Sequence, residues 1–306
     1  RSKETIPLIV NARKEGIDVT IDQYPYTASS TQLSVLLPDW VLSDGQDSIF
    51  ARLKNPSIRK KVANEIIGIL KERGIKHFTY AVVANYRADS SYNGKDIEAI
   101  NLLRGNKHTA LSEAETIIQM MEQGGAQMIY HGMTESDVKA IMQYPFNMFA
   151  SDAGIAMKGY GKPHPRAYGT NSRVLGRYVR TMGVLSLEEA IRRMTSLPAS
   201  KFNIAKRGIL QEGYFADIVV FDADEVSDMA TFEDSHQYAK GFKYIWVNGV
   251  LSMDQAVQLP VKKGVKPAAI EAPFNSNTVQ VKLVLFVEPA SIKFSKLVPV
   301  WAISII

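Results

Sequence analysis

An α/β fold built around a parallel sheet, followed by a small β unit, is what the sequence predicts. Up to about residue 200, short β-prone runs alternate with amphipathic helical stretches, the rhythm of βα units. After Lys201 the helical periodicity gives way to β runs divided by Arg207-Gly208, Glu212-Gly213 and Asn248-Gly249. The length of 306 residues suits one large domain or two smaller ones, at roughly 150 residues each.

Taken in order, residues 5–15 carry Ile6, Leu8, Ile9 and Ala12 at helical spacing and stop at Gly16. Residues 18–24 alternate and are β-rich, so a strand is expected, ended by Pro25. The polar run 26–31 reads as a loop. The charged stretch 45–76 is mostly helical, with Ile58, Val62, Ile66, Ile67 and Leu70 on one face. Residues 78–83 form a continuous apolar run, the pattern of a strand buried on both faces. A helix over 112–121 is expected, with Ser112 and Glu115 as a capping box. A strand over 128–131, a helix capped by Thr134 and a strand over 146–150 follow. Ser186 and Glu189 open a further helix that buries Leu187, Ala190, Ile191 and Met194. Residues 216–222 form a strand, and 244–253 form a hairpin whose Asn248-Gly249 turn supplies the positive φ angles of a two-residue loop.

The formal charge of +5 is a scattered excess of lysine, without the basic blocks and interleaved aromatics of a nucleic-acid surface. The absence of cysteine excludes disulfides and thiolate-bound zinc and fits a reducing compartment, so a cytoplasmic location is expected. No apolar run is long enough to span a membrane. Arg1 is followed by no signal-peptide pattern, and the chain reads as an excerpt that begins partway through a domain. Residues 256–306 are rich in Val, Lys and Pro and form an atypical tail with no structural assignment.

The chemistry concentrates in Phe149-Ala-Ser-Asp-Ala-Gly154 and Lys162-Pro-His-Pro-Arg-Ala-Tyr-Gly-Thr170. Asp152 follows an apolar strand and precedes a turn, where a carboxylate can hold a metal or move a proton. It can equally cap the next helix. Arg166, on a Gly/Pro-rich loop, can grip an anion or lie at the surface. His164 can donate to a ligand or ligate metal, though a lone histidine is more often structural. Tyr24 and Ser30 sit on a strand-end loop, where hydroxyls can donate to a carboxylate or simply pack. His131 ends a strand and reads as packed or solvated. His77, His108 and His236 carry no signal. There is no His-x-His pair, His-Glu-x-x-His, Gly-x-Ser-x-Gly or Walker loop, and five histidines without close pairing give no obvious zinc centre.

Five segments carry a resemblance: residues 18–31, Ala150-Ser-Asp-Ala-Gly154, His164-Pro-Arg-Ala-Tyr-Gly-Thr170, Arg173-Val-Leu-Gly176 and Met194-Thr-Ser-Leu-Pro-Ala199. Together they resemble the N-acyl-D-amino-acid deacylases (D-aminoacylases) of the amidohydrolase superfamily. The later pattern of Arg207-Gly208, Gly213, residues 216–222, Ala230-Thr-Phe232 and Val247-Asn-Gly249 is similar too. The resemblance runs from residue 1 to about 253.

It implies a TIM-like (β/α) barrel with a flanking β-sandwich, one or two zinc ions, and metal-assisted hydrolysis of a small-molecule N-acyl amino acid. Residues 1–200 would be the C-terminal part of the barrel with an inserted helical segment, and 201–255 part of the sandwich. By resemblance Asp152 binds the looser metal, takes a proton from the attacking water and passes it to the leaving amine. Arg166 pairs with the substrate α-carboxylate, and Tyr24 and Ser30 bind the same region. The family's His-x-His pair, bridging cysteine and two further histidines match nothing here and would precede Arg1, and the first barrel strands are missing as well. The expected partners are the substrate and a missing N-terminal part, with no nucleic acid and no membrane. A rival reading is a non-catalytic binding or subunit protein on a decayed hydrolase scaffold, whose open strand edge pairs with another chain.

Overall fold

The computed structural model describes residues 2–260 and 300–303. Ten strands follow in chain order. They are β1 (Ile21–Gln23), β2 (Ala28–Gln32), β3 (Ala81–Asn85), β4 (Gln127–His131) and β5 (Asn147–Phe149), then β6 (Ile218–Asp222), β7 (Phe242–Val247), β8 (Val250–Asp254), β9 (Val257–Gln258) and β10 (Val300–Ile303). The fold is mixed α/β, as expected, but the strands do not join one parallel sheet. Only β1 and β5 pair in parallel, while β2-β4-β3 and β10-β6-β7-β8-β9 are antiparallel sheets. No closed barrel forms among the described residues.

The direction of the 78–83 run was not readable for a physical reason. An apolar run reports burial on both faces, not the direction of the neighbouring strand. β4 is central in its sheet: Met128 and Tyr130 face the first core, and Ile129 faces a smaller cluster with Ala28 and Ala84. The polar segment expected as a loop over 26–31 instead contains β2. Its Ser/Thr side chains give no apolar signal, but its backbone finds partners from Ala28↔His131 to Gln32↔Gln127.

Helix ends follow local chemistry. Asn55 Oδ1 accepts from Ser57 N (3.0 Å) and Ile58 N (3.3 Å), so with Pro56 in the first turn it splits the expected 45–76 stretch into Gln46–Lys54 and Pro56–Arg73. The expected capping box at Ser112 is displaced by three residues. Thr109 caps the helix Ala110–Glu122 by accepting from Ser112 N, which frees Ser112 Oγ to donate to Asn101 and Glu115 to pair with Arg59. Thr134 and Ser186 cap as read, opening Glu135–Met142 and Leu187–Met194.

Two large cores result. One buries Leu33, Leu53, Ile66, Phe78, Ile97 and Ile117 between the helices of 33–122 and the β2-β4-β3 sheet. The other joins Met142, Phe149, Leu175, Tyr178, Ala190 and Phe221. β6 alternates between that core, through Val219 and Phe221, and a smaller one, through Ile218 and Val220. The Asn248-Gly249 turn has φ of 53° and 78°, as its hairpin requires. Of the tail 256–306, residues 261–299 and 304–306 lie outside the described residues.

β5 is fixed from behind by one carboxylate. Glu189 pairs with Arg192 and with the buried Arg193 at 2.7 Å each. Arg193 in turn donates to the carbonyls of Met142 and Tyr144, just ahead of the strand. Hydrogen bonding from Arg192 heads the causes that hold the Glu189 carboxyl down at about 2. A lowered carboxyl pKa adds stability above its unfolded value of 4.5, lost as pH falls toward 2. Acid titration followed by circular dichroism is expected to show destabilisation between those limits, and the Glu189→Gln variant should lose that pH-dependent component.

Candidate active site

Because β1 and β5 run in parallel, the chain leaves both strands at the same edge. Tyr24-Pro25-Tyr26 follows β1 and Ala150-Ser151-Asp152 follows β5, held together by Ala150 N donating to Gln23 O at 3.1 Å. Carboxyl-end loops of parallel strands are the usual seat of catalytic groups. Asp152 has φ +48°, a left-handed conformation that Asp tolerates better than most residues, and its side chain is 67% exposed.

Arg166 opens the helix Arg166–Arg173 and is 6% exposed. Its Nη2 lies 2.9 Å from Asp152 Oδ2 and donates to the Ser30 carbonyl at 3.3 Å. Its guanidinium stacks 4.5 Å over the ring of Tyr24. The four residues singled out from sequence, Asp152, Arg166, Tyr24 and Ser30, therefore meet around one guanidinium. Ser30 takes part through its backbone, because its hydroxyl donates to Met128 O at 2.8 Å and accepts from Gln127 Nε2 at 3.0 Å. Burial raises the Tyr24 phenol pKa, with Arg166 opposing it. Arg166 Nη1 is buried and has no hydrogen-bond partner.

His164 plays a structural part. Its Nε2 faces the Ala28 carbonyl at 3.0 Å and must donate, while its Nδ1 accepts from Arg166 N at 3.0 Å. Packed among Tyr24, Tyr26 and Phe232, the imidazole is pulled down to about 3, chiefly by burial, and stays neutral. It thus fixes the start of the Arg166 helix. His131 packs against Phe232 at 4.8 Å, and burial lowers its pKa. The connecting loop is pinned where Lys162 N donates to Ala84 O at 2.7 Å, after Gly161 at φ +67°.

A second clamp, not foreseen from sequence, supports Tyr26. Arg173 stacks 4.6 Å over the Tyr26 ring, donates to Pro25 O at 2.9 Å and pairs with Asp228 at 2.7 Å. The Arg173-Val-Leu-Gly176 segment offered the arginine, but Asp228 lies in a stretch with no recognisable pattern.

The donors at this edge do not complete a metal cage. Asp152 offers a carboxylate, and both ring nitrogens of His164 are committed to backbone groups. Among the described residues, the one group of three or more potential metal ligands lies elsewhere, at His77, Glu98, His108 and Glu113. That corrects the expectation that the histidines lack close pairing: the His77 and His108 rings stack at 4.2 Å. The spacing from 77 to 113 matches no short motif, which is why the group was silent in sequence.

The model of a family described as amidohydrolase family matches residues 64–252, more than half of the chain. The chain belongs to the amidohydrolase family. This amidohydrolase is 34% identical over 249 residues to the D-aminoacylase of Alcaligenes xylosoxydans xylosoxydans, covering 81% of this chain and 41% of that protein. It is 33% identical over 256 residues to the N-acyl-D-glutamate deacylase of the same organism, covering 84% and 43%. A crystal structure of D-aminoacylase superposes with a TM-score of 0.61 at 33% identity, over 84% of this chain and 44% of that one. The N-acyl-D-glutamate deacylase of Bordetella bronchiseptica, solved with zinc and a phosphonate inhibitor, gives 0.61 at 30% identity, over 89% and 45%. The chain thus spans a little over two-fifths of the length of these relatives. No helix among its described residues is long and apolar enough to cross a membrane.

Gly169 lets the Arg166 helix approach the Tyr26 clamp. A Cβ there would lie 2.6 Å from Tyr26 Oη and 2.8 Å from Asp228 Cβ. Gly169→Ala is therefore expected to destabilise the fold by about 1–3 kcal/mol, measured as a lower urea midpoint.

Proposed function

We propose that the complete protein is a zinc-dependent deacylase of N-acyl-D-amino acids, and that these 306 residues form its C-terminal part. In this reading residues 1–200 are the later part of a TIM-like barrel with an inserted helical segment, and 201–255 belong to a flanking β-sandwich. A D-configured N-acyl amino acid is the substrate because the relatives' names specify that class. The missing metal ligands come from sequence outside this chain, and the isolated 306 residues are inactive.

The observation that carries the reading is the unsatisfied Nη1 of Arg166 beside Asp152. A buried donor on a fixed cation favours an anion, to which Nη1 donates while Nη2 stays with Asp152 and the Ser30 carbonyl. The substrate α-carboxylate supplies that anion, with Tyr24 forming the wall beneath. Asp152 is the exposed carboxylate at the same edge, placed to take a proton from the attacking water and return it to the departing amine. Asp152 and the substrate carboxylate then share one guanidinium, so binding and proton transfer are fixed in register.

Steady-state hydrolysis of an N-acetyl-D-amino acid tests this. In the complete enzyme, Asp152→Ala is expected to lower kcat by about 10²–10⁴-fold. Arg166→Ala should cost about 2–5 kcal/mol in kcat/KM, expressed mainly in KM. An unchanged kcat in the first variant removes Asp152 from the chemistry, and turnover by the isolated chain overturns the division of labour.

A further inference from the structure

Away from Asp152, four side chains converge inside the helical region. His77 lies on the turn before β3, Glu98 is the second residue of the helix Ile97–Leu103, and His108 precedes the helix Ala110–Glu122, whose first turn holds Glu113. His77 Nδ1 is 2.5 Å from Glu113 Oε1 and 3.7 Å from Glu98 Oε1, and His108 Nε2 is 2.5 Å from Glu98 Oε1. All four candidate ligand atoms lie within 4.8 Å of one another.

We propose that His77, Glu98, His108 and Glu113 form a structural binding site for one divalent transition-metal ion, zinc by ligand class, independent of the Asp152 edge.

Three features support this assignment. The donor set is two imidazoles and two carboxylates, ligand types that zinc accepts, and four of them fill its tetrahedral coordination. Tetrahedral ligands at 2.0–2.2 Å from zinc stand about 3.3–3.6 Å apart, so the observed spacings need side-chain shifts to close on an ion. Charge is the second feature. Glu113 is fully buried, and among the described residues the ion-pair partners of Glu98 and Glu113 are the two histidines, with no Lys or Arg paired to either carboxylate. A buried carboxylate demands compensation. The His77 and His108 rings stack 4.2 Å apart at an interplanar angle of 23°, which sets a nitrogen of each beside the two carboxylates. A divalent ion among the four side chains would balance both carboxylates.

The third feature is the support around the ligands. Glu113 Oε2 is oriented by Phe78 N at 2.9 Å. The turn carrying His108 is held by Asn101, which donates to Lys107 O and accepts from Ser112 and Thr116. Hydrogen bonds behind ligands are what fixes a metal site. The His108 side chain is 52% exposed and leaves an entry path. The ion would tie the turn before β3 to the two helices that cover it.

The test is zinc binding by the 306-residue chain after removal of metal with a chelator, read by equilibrium dialysis and elemental analysis. Cobalt(II) substitution reports coordination through its visible absorption. One equivalent is expected in the wild type and in Asp152→Ala. Affinity is expected to fall at least tenfold in His108→Ala and in the near-isosteric Glu98→Gln, both partly exposed positions whose folding is checked by circular dichroism. A thermal midpoint raised by zinc in the wild type, and not in His108→Ala, completes the support. The proposal is overturned if the wild type binds no zinc, if His108→Ala and Glu98→Gln bind as the wild type does, or if Asp152→Ala abolishes binding.

Discussion

A guanidinium buried to 6% exposure must be surrounded by groups that tolerate a cation, and the candidate site is built around meeting that demand at Arg166. The Tyr24 ring offers its negative face, the Ser30 carbonyl accepts, and the Asp152 carboxylate supplies the countercharge. Each contact needs a different long-range arrangement. Tyr24 and Asp152 leave one edge because β1 and β5 are parallel. Ser30 reaches Arg166 through its carbonyl because β2 is ordered against β4. The helix start is set by His164, whose neutral ring bridges Ala28 and the Arg166 backbone. The surroundings satisfy most of the cation and leave the buried Nη1 without a hydrogen-bond partner.

Much of this was legible in sequence because it is written in local chemistry. Caps at Thr134 and Ser186, the stop at Gly16 and the Asn248-Gly249 hairpin depend on residues within a few positions of one another. The strands at β1, β4, β5 and β6 were readable from apolar or alternating runs. Asp152, Arg166, Tyr24 and Ser30 could be singled out because they stand in three short segments that resemble a known family. Their meeting at a single guanidinium is a tertiary fact that no spacing encodes.

What sequence did not disclose depends on pairing partners. β2 is a polar stretch made into a strand by β4, and β3 pairs antiparallel because its neighbour arrives in that direction. The Thr109 cap outcompeted Ser112 because Asn101, from the preceding helix, captured the Ser112 hydroxyl. Ser30, singled out for its hydroxyl, lies beside Arg166, yet its hydroxyl is engaged by Met128 and its carbonyl faces the arginine. Side-chain type therefore located the site better than it described the contacts within it.

The two notable centres of this chain are buried ionisable groups of opposite sign. Arg166 is a buried cation with a donor left over, and its carboxylate partner is mostly in water. Glu113 is a buried carboxyl group paired with a histidine and, among the described residues, with no Lys or Arg. Burial amplifies both, because unpaired charge costs far more inside a protein than at its surface. A buried donor without a partner favours an anion, whereas carboxylates interleaved with imidazoles favour a compact divalent cation. The same rule, that buried ionisable groups sit where a partner or ligand can meet them, supports the proposed carboxylate at one centre and the proposed metal ion at the other.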